Sequence, residues 1–344
     1  MNLVNDVFFG TYSKGTDKGL FRCAFDDSNG EIRGISNIDI ENPSYLQLKN
    51  NVLYGVSELG SFNDENGGAL FAVDISAPAQ MRMLDIQATH GKHPCHLCVK
   101  DDFIFVSNYS EGSLSIFETS AGHILPSFQS LHHFGKGARQ DRQEASHIHF
   151  AAVTPDENFL ALCDLGLDKV FLYPLSVGGA LSANAKTINC PCGSGPRHLV
   201  FSNCGRYMYV LTELGNTVLS YQYNRGEVIF LQEISTLPEG FKGSSGAAAI
   251  HASPCGGYIA ASNRGHDSIA LYNIESGGKL NLASHIMTGK GPRDFQFSPG
   301  GKWLLSANQN SDCVTVFNNN GTFKEQSAFS VPNPVCIVFG ANNG

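Results

Sequence analysis

Two stretches follow one plan: Pro196 to Tyr221, "PRHLVFSNCGRYMYVLTELGNTVLSY", and Pro292 to Phe317, "PRDFQFSPGGKWLLSANQNSDCVTVF". Each opens on Pro-Arg and runs through an apolar alternation to a polar turn. A second alternation follows, then another turn and a third apolar run. Alternating runs of about five residues have the length of strands. The turns between the first two runs, such as Asn203-Cys-Gly and Ser298-Pro-Gly-Gly, are hairpin signals. The frame recurs from His93 in "HPCHLCVKDDFIFVSNYSEGSLSIF", from His147 in "HIHFAAVTPDENFLALCDLGLDKVFLY" and from Ala248 in "AAIHASPCGGYIAASNRGHDSIALY". A further copy starts at Asn42, "NPSYLQLKNNVLYGVSELG", and resumes after an insertion at "GGALFAVDI". Units spaced by about fifty residues fall in the range of propeller blades. A unit so short and apolar cannot bury its faces alone and must stack on its neighbours.

The chain ends supply a seventh unit. "DVFFGTYS" and "GLFRCAFD", from Asp6 and Gly19, read as a second and third strand with no first. "NPVCIVFG", from Asn333, reads as a first strand with nothing after it. Pairing them closes a ring and hides sheet edges that would otherwise invite aggregation. The expected fold is therefore all-β: a seven-bladed β-propeller, one domain over 1–344, whose N- and C-terminal strands complete one blade. An open stack of blades is the alternative, and it would leave both terminal fragments unpaired.

Composition narrows the function classes. Hydrophobic residues make up 42% and charged ones 16% of the 344 residues, enough apolar material for a large core. The net charge of −8 argues against nucleic acid or a membrane surface as partner, since both call for a basic face. It leaves a small anionic ligand open, because a basic cluster can sit on an acidic protein. No apolar run is long enough to cross a membrane, and the N-terminal stretch lacks the pattern of a secretion signal. Ten cysteines in that setting are expected to stay reduced in a cytoplasmic protein. "CPC" at Cys190 to Cys192 lacks the spacing of a zinc knuckle, so free thiols are expected there.

Equivalent blade positions meet at a propeller's axis, and two such columns stand out. The first, at the start of the innermost strand, holds Ser44, Cys95, His149, Arg197, Ala248 and Arg293. The second, just past the next apolar run, holds Glu58, Tyr109, Leu165, Glu213, Arg264 and Gln309. The register holds while the side chains diversify, the pattern expected of a site assembled from several blades. Asn108, Asn263 and Asn308, and the turn acids Asp168 and Asp267, are better read as satisfying turns or tying neighbouring blades through backbone hydrogen bonds. Arg197, Arg264 and Glu213 are long charged groups near an axis and need partners or a ligand. The His-rich loop from His132 is a rim loop whose Arg142 and Glu144 reach the mouth. "HIH" at His147 to His149 offers two metal ligands without a third, so a metal ranks below a binding or structural role. "GSGPR" leads into a strand rather than a helix and fails as a dinucleotide loop. "GSSG" at Gly243 is no nucleophile elbow and reads as a loop.

The stretches "DRQEASHIH", "TPDENFLALCDLGLDKV", "GPRHLVFS", "YVLTELGNTV", "SNRGHDSIALY", "GPRDFQFSPGGKWLLSANQ" and "NPVCI" together resemble the propeller-type lactonase family. Its named activity is 6-phosphogluconolactonase, and it is related to fungal muconate-lactonizing enzymes. The resemblance runs over essentially the whole chain. It implies hydrolysis of a sugar-derived lactone without a cofactor, and an active-site set that falls on His149, Arg197, Glu213 and Arg264. The family more often has Asn where Thr212 precedes Glu213. Arg142, His198, Arg293, Gln309 and Glu58 are the accompanying candidates for substrate binding. Lactone opening needs a base for the attacking water and cations for the oxyanion and for a phosphate. Glu213 and His149 are equal candidates for the base. Two rival readings are a lactonizing isomerase acting on a dicarboxylate and a non-catalytic propeller that binds a partner.

Overall fold

The computed structural model describes residues 4–12 and 19–340, and Ser13 of the quoted N-terminal run lies outside them. Seven antiparallel sheets stand around an axis, with no helix among the described residues. Blade 5 shows the unit: Pro196–Phe201 innermost, then Tyr207–Thr212, Thr217–Asn224 and, outermost, Glu227–Ser235. Blades 6 and 7 repeat it with innermost strands Gly246–Ala252 and Pro292–Phe297. Blades 2, 3 and 4 begin at Pro43–Lys49, Pro94–Lys100 and Ile148–Val153. The insertion in blade 2 is a small hairpin that pairs Ser61 with Asn66 and Phe62 with Glu65.

Blade 1 is composite, as the terminal sequences predicted. Pro334–Phe339 is its innermost strand and pairs antiparallel with Val4–Thr11. Leu20–Asp26 and Glu31–Ile38 follow outward. Blade 7 locks onto it through Trp303, whose indole packs edge-on to Phe25 and donates from Nε1 to the Asp27 carbonyl at 2.9 Å.

The fourth, outermost strand of each blade lies beyond the three runs visible in sequence. These edge strands are largely exposed; Ile229 and Phe230 even face solvent. Their alternation is therefore weak, since only partial burial selects it. The core lies between blades instead. Seven apolar clusters among the described residues each span one pair of neighbours, for example Leu172 with Leu199 and Val210 between blades 4 and 5. At about 25 cal/mol per Å² of apolar surface, such interfaces supply most of the driving force for closing the ring.

The Gly-Pro-Arg frame has a local cause. Between the two innermost strands of every blade the register slips by one residue. The residue left without a partner is Ser44, Cys95, His149, Arg197, Arg293 or Val335, and in blade 6 the slip falls at Ala248-Ala249. The first column is thus a column of β-bulges, which re-aim a side chain out of the sheet's alternation. Two residues before the bulge, five blades hold a left-handed residue: Asn42, His93, Gly195, Gly291 and Asn333, with φ between 45° and 67°. Glycine and asparagine tolerate that conformation best. A proline follows each of them and opens the strand, where it forfeits no ladder hydrogen bond.

The turn acids tie blades together, as expected of them. Asp168 accepts from the N–H groups of Gly193 and Gly195 at 2.7 and 2.8 Å, and Asp267 from that of Gly291 at 2.8 Å. Asn108 and Asn308 donate to hydroxyls of the adjacent strand, Ser113 and Ser115 in one case and Thr315 in the other. Asn263 is bonded to both the hydroxyl and the carbonyl of Thr236. Thr212 does the corresponding work through Thr217, with the two hydroxyls 2.8 Å apart.

Candidate active site

Both columns end at one mouth of the channel. The second column is held there by a recurrent backbone bond. The N–H groups of Tyr12, Glu58, Tyr109, Leu165, Glu213 and Gln309 each donate, at 2.8 to 3.0 Å, to the carbonyl two residues before the bulge of the same blade. This fixes six side chains in a ring, and Arg264 closes the seventh place at the end of Tyr258–Arg264. Tyr12 escaped the sequence reading, although "FFGTYS" carries the signal. Thr11-Tyr12 stands in blade 1 where Ser57-Glu58 stands in blade 2.

Glu213 is the hub. It is 4% exposed, and three guanidinium groups surround its carboxylate. Arg142 Nη2 donates to Oε1 at 2.7 Å, while Arg264 Nη2 and Arg197 Nε lie 3.0 and 2.9 Å from Oε2. The Arg197 Nε contact is an ion pair rather than an aligned hydrogen bond. Burial alone would raise the Glu213 carboxyl, but Arg264, Arg197, His149 and Arg142 together hold it well below the usual carboxylate range. Arg197 in turn is pulled down to about 10, by burial first and then by Arg264 and Arg293, and it remains a cation at neutral pH. Its Nη1 donates to the Ala248 carbonyl of the next blade and to His198 Nε2, the latter at 3.1 Å.

Arg142 arrives from the rim loop, and the loop is pinned. The next residue, Gln143, is fully buried and donates to the Leu165 carbonyl at 2.9 Å and to Asp168 at 2.7 Å. Glu144 turns away to His147, 3.2 Å from its Nε2, and stays exposed. His147 stacks flat on Tyr109, and its Nδ1 meets the Tyr109 carbonyl at 3.0 Å. His149 meets the same Tyr109 ring edge-on, with the ring centres 5.5 Å apart. Among the described residues no group of three His, Cys, Asp or Glu side chains is placed to hold a metal ion.

Across the channel, blades 7, 1 and 2 build a second cluster. Arg293 Nη2 donates to the Tyr12 hydroxyl at 2.6 Å, and that hydroxyl donates to Glu58 Oε2 at 2.7 Å. The guanidinium also lies over the Tyr12 ring, 4.9 Å from its centre. Burial pushes the Tyr12 phenol far above its ordinary value, so it stays protonated.

Between the clusters lies a cavity of about 350 Å³. Arg142, Glu213, Arg264, Arg293, Glu58 and His149 line it, with Tyr12, Tyr109 and Cys95. Four of its five charged members, Arg142, Glu213, Arg264 and Arg293, also line an outer vestibule of about 690 Å³, where Gln309 and the "GSSG" serines Ser244 and Ser245 stand. Three guanidinium groups and two carboxylates line the cavity, and Arg197 meets Glu213 from beneath, so in this group the arginines outnumber the carboxylates by two.

His198 is placed one layer lower and does not line this chamber. With Tyr45, His96 and Phe150 it forms a stack of rings across the channel, the His96 ring 4.2 Å from Tyr45 and 4.1 Å from Phe150. Alternation explains the drop. Arg197 is the bulge, so the next side chain points to the next layer of the axis. Burial first, and then Arg197, keeps His96, His149 and His198 far below the ordinary histidine value, hence neutral.

The family model for lactonases of the seven-bladed β-propeller type matches residues 6–339. A Bacillus subtilis protein named 6-phosphogluconolactonase is 33% identical over 96% of this chain and 97% of its own length. The solved Pseudomonas aeruginosa periplasmic gluconolactonase PpgL superposes with a TM-score of 0.92, at 30% identity over 98% of this chain and 99% of that one. A solved Lactobacillus plantarum protein is 31% identical, with a TM-score of 0.91 over 98% and 99% of the two chains. The chain belongs to the seven-bladed β-propeller lactonases, hydrolases of cyclic esters.

Proposed function

We propose that this lactonase opens a phosphorylated sugar lactone, with 6-phosphogluconolactone giving 6-phosphogluconate. The observation that carries the reading is the charge of the chamber. A concave site where arginines outnumber carboxylates by two suits a ligand that brings two negative charges, and a phosphate monoester does so at neutral pH. The excess sits at the Glu213 end, where three arginines share one carboxylate. Arg142, Arg197 and Arg264 therefore receive the phosphate in this reading, with Gln309 at the entrance. Glu213 is the counter-ion that packs them, and His149 forms part of the floor. The name of the Bacillus subtilis relative agrees with a phosphorylated substrate, while that of the Pseudomonas aeruginosa protein names the unphosphorylated lactone. A cytoplasmic setting goes with ten cysteines that form no disulfide.

The test is hydrolysis of 6-phosphogluconolactone, corrected for spontaneous opening, by wild type and by Arg197→Ala, Glu213→Gln and Arg264→Ala. Each variant is expected to lose at least tenfold in kcat/KM. Unchanged turnover in all three would refute the site. Turnover of a muconate instead would support the isomerase reading.

A further inference from the structure

The groups around Glu213 explain how an anion is held but leave the attacking water without a proton acceptor. Both Glu213 oxygens are engaged by guanidinium groups, and their field leaves the carboxylate little affinity for a proton. His149 fares no better. Its Nδ1 is buried without a hydrogen-bond partner, and burial together with Arg197 resists formation of an imidazolium.

Glu58 differs in its hydrogen bonding. Only its Oε2 is used, by the Tyr12 hydroxyl, and Oε1 takes no hydrogen bond among the described residues. Its side chain lines the cavity, and its backbone N–H is fixed to the Asn42 carbonyl at 2.9 Å. Arg293 stands at the other side of the same tyrosine. Nη2 is its one donor with a partner among the described residues, so Nε and Nη1 are left for a ligand. A carboxylate with one open oxygen and a guanidinium with open donors, coupled through one phenol, offer an acceptor for water and a donor for an oxyanion side by side.

We propose that Glu58 is the general base of lactone opening, with Arg293 the oxyanion donor and Tyr12 the residue that positions both. This rests on the lactonase reading above and deepens it. Water attacks the lactone carbonyl carbon while Glu58 Oε1 takes one of its protons. The carbonyl electron pair moves onto oxygen, facing Arg293. Collapse of the tetrahedral adduct breaks the ring C–O bond, and the leaving alkoxide recovers the proton from Glu58. The product is the open hydroxy acid, which gives its carboxyl proton to solvent. Tyr12 keeps its proton throughout. The phosphate meanwhile stays on the Glu213 side, so chemistry and anchoring occupy opposite blades.

The experiment compares Glu58→Gln, Glu58→Ala and Tyr12→Phe with wild type on the phosphorylated and the unphosphorylated δ-lactone. Glu58→Gln should lower kcat about 100-fold or more, the usual range for loss of a general base, with KM changed less than threefold. Added formate should restore part of the Glu58→Ala rate, a rescue that a structural role would not show. Tyr12→Phe should lower kcat about tenfold and keep KM, since it frees both partners without removing either. Calorimetric binding of inorganic phosphate serves as the control for folding and should be unchanged in all three. A Glu58→Gln enzyme with wild-type kcat overturns the proposal. So does loss of kcat and phosphate binding together, or a Glu58→Ala enzyme that formate does not rescue. Turnover of the unphosphorylated lactone alone overturns the phosphate reading and leaves Glu58 to be judged on that substrate. Turnover of neither overturns both.

Discussion

Mild acid should destabilise this protein well before its carboxylates titrate. The channel beneath the chamber is filled by His96 and His198, with His149 directly above, all three at most 6% exposed and kept neutral by burial and by Arg197. A histidine that refuses a proton in the folded state takes one on unfolding. The unfolded chain then binds more protons than the native one, and stability falls as pH drops below the unfolded value of about 6.5. The loss continues down to the folded values, which lie well below. Glu213 has the opposite sense. Its folded value is depressed, so it contributes stability at every pH above about 4 and loses it only in stronger acid. Between pH 7 and 5.5 the histidines therefore dominate. Each contributes a loss of about 1.2 kcal/mol, and three together about 4 kcal/mol, a large share of a typical domain's stability. Urea unfolding at pH 7.0, 6.0 and 5.5 would measure the slope, and pH-stat titration the protons bound on unfolding. His96, His149 and His198 together should take up close to three protons on unfolding at pH 5.5, and His198→Asn should lower the total by about one. Stability flat from pH 7 to 5.5, or proton uptake below one, would refute the argument that the stack is held neutral.

Three further predictions rest on local geometry. Gly195→Ala should cost about 2 kcal/mol in denaturant unfolding, because φ is 62° there and the new Cβ would sit 2.8 Å from the Leu214 side chain. Asp168→Ala should cost about 3 kcal/mol, since it strands two backbone N–H groups and the Gln143 amide. It should also raise KM more than it lowers kcat, because Gln143 pins the loop that delivers Arg142. Cys204 is exposed, and its thiol is drawn down to about 7 by hydrogen bonding with Ser202 first and with Arg206 next. Alkylation followed by mass spectrometry should therefore label it half-maximally near pH 7, while buried Cys23 and Cys163, both pushed up by burial, remain unlabelled.

The blade frame was legible because three strands per blade bury alternate residues and the turns between them need glycine, asparagine or proline. The outer strands were not, because half-exposed edges select weakly for pattern. Eight of the nine candidate site residues reach the chamber or vestibule or, in the case of Arg197, contact Glu213 from beneath; His198 does not. The difference between Arg197 and His198 is a single bulge. Sequence shows that the two are adjacent but not that the register slips between them, since a slip depends on hydrogen bonds to the partner strand. Arg197 and Arg293 occupy one bulge position two blades apart, yet they join different clusters, one on Glu213 and the other on Tyr12 and Glu58. Which carboxylate each arginine meets is set by the ring, and the repeat alone could not say. Tyr12 needed only the seventh member of a column whose other six were in view.

The central claim is that the chamber's two surplus cations select a dianionic lactone. The measurement that tests it most directly is kcat/KM for phosphorylated against unphosphorylated glucono-δ-lactone, each corrected for spontaneous opening and run with one preparation of wild-type protein. The account predicts a preference of at least about 100-fold for the phosphorylated lactone, worth about 3 kcal/mol of binding at the arginines. Equal rates on the two lactones, or a preference for the unphosphorylated one, would contradict it.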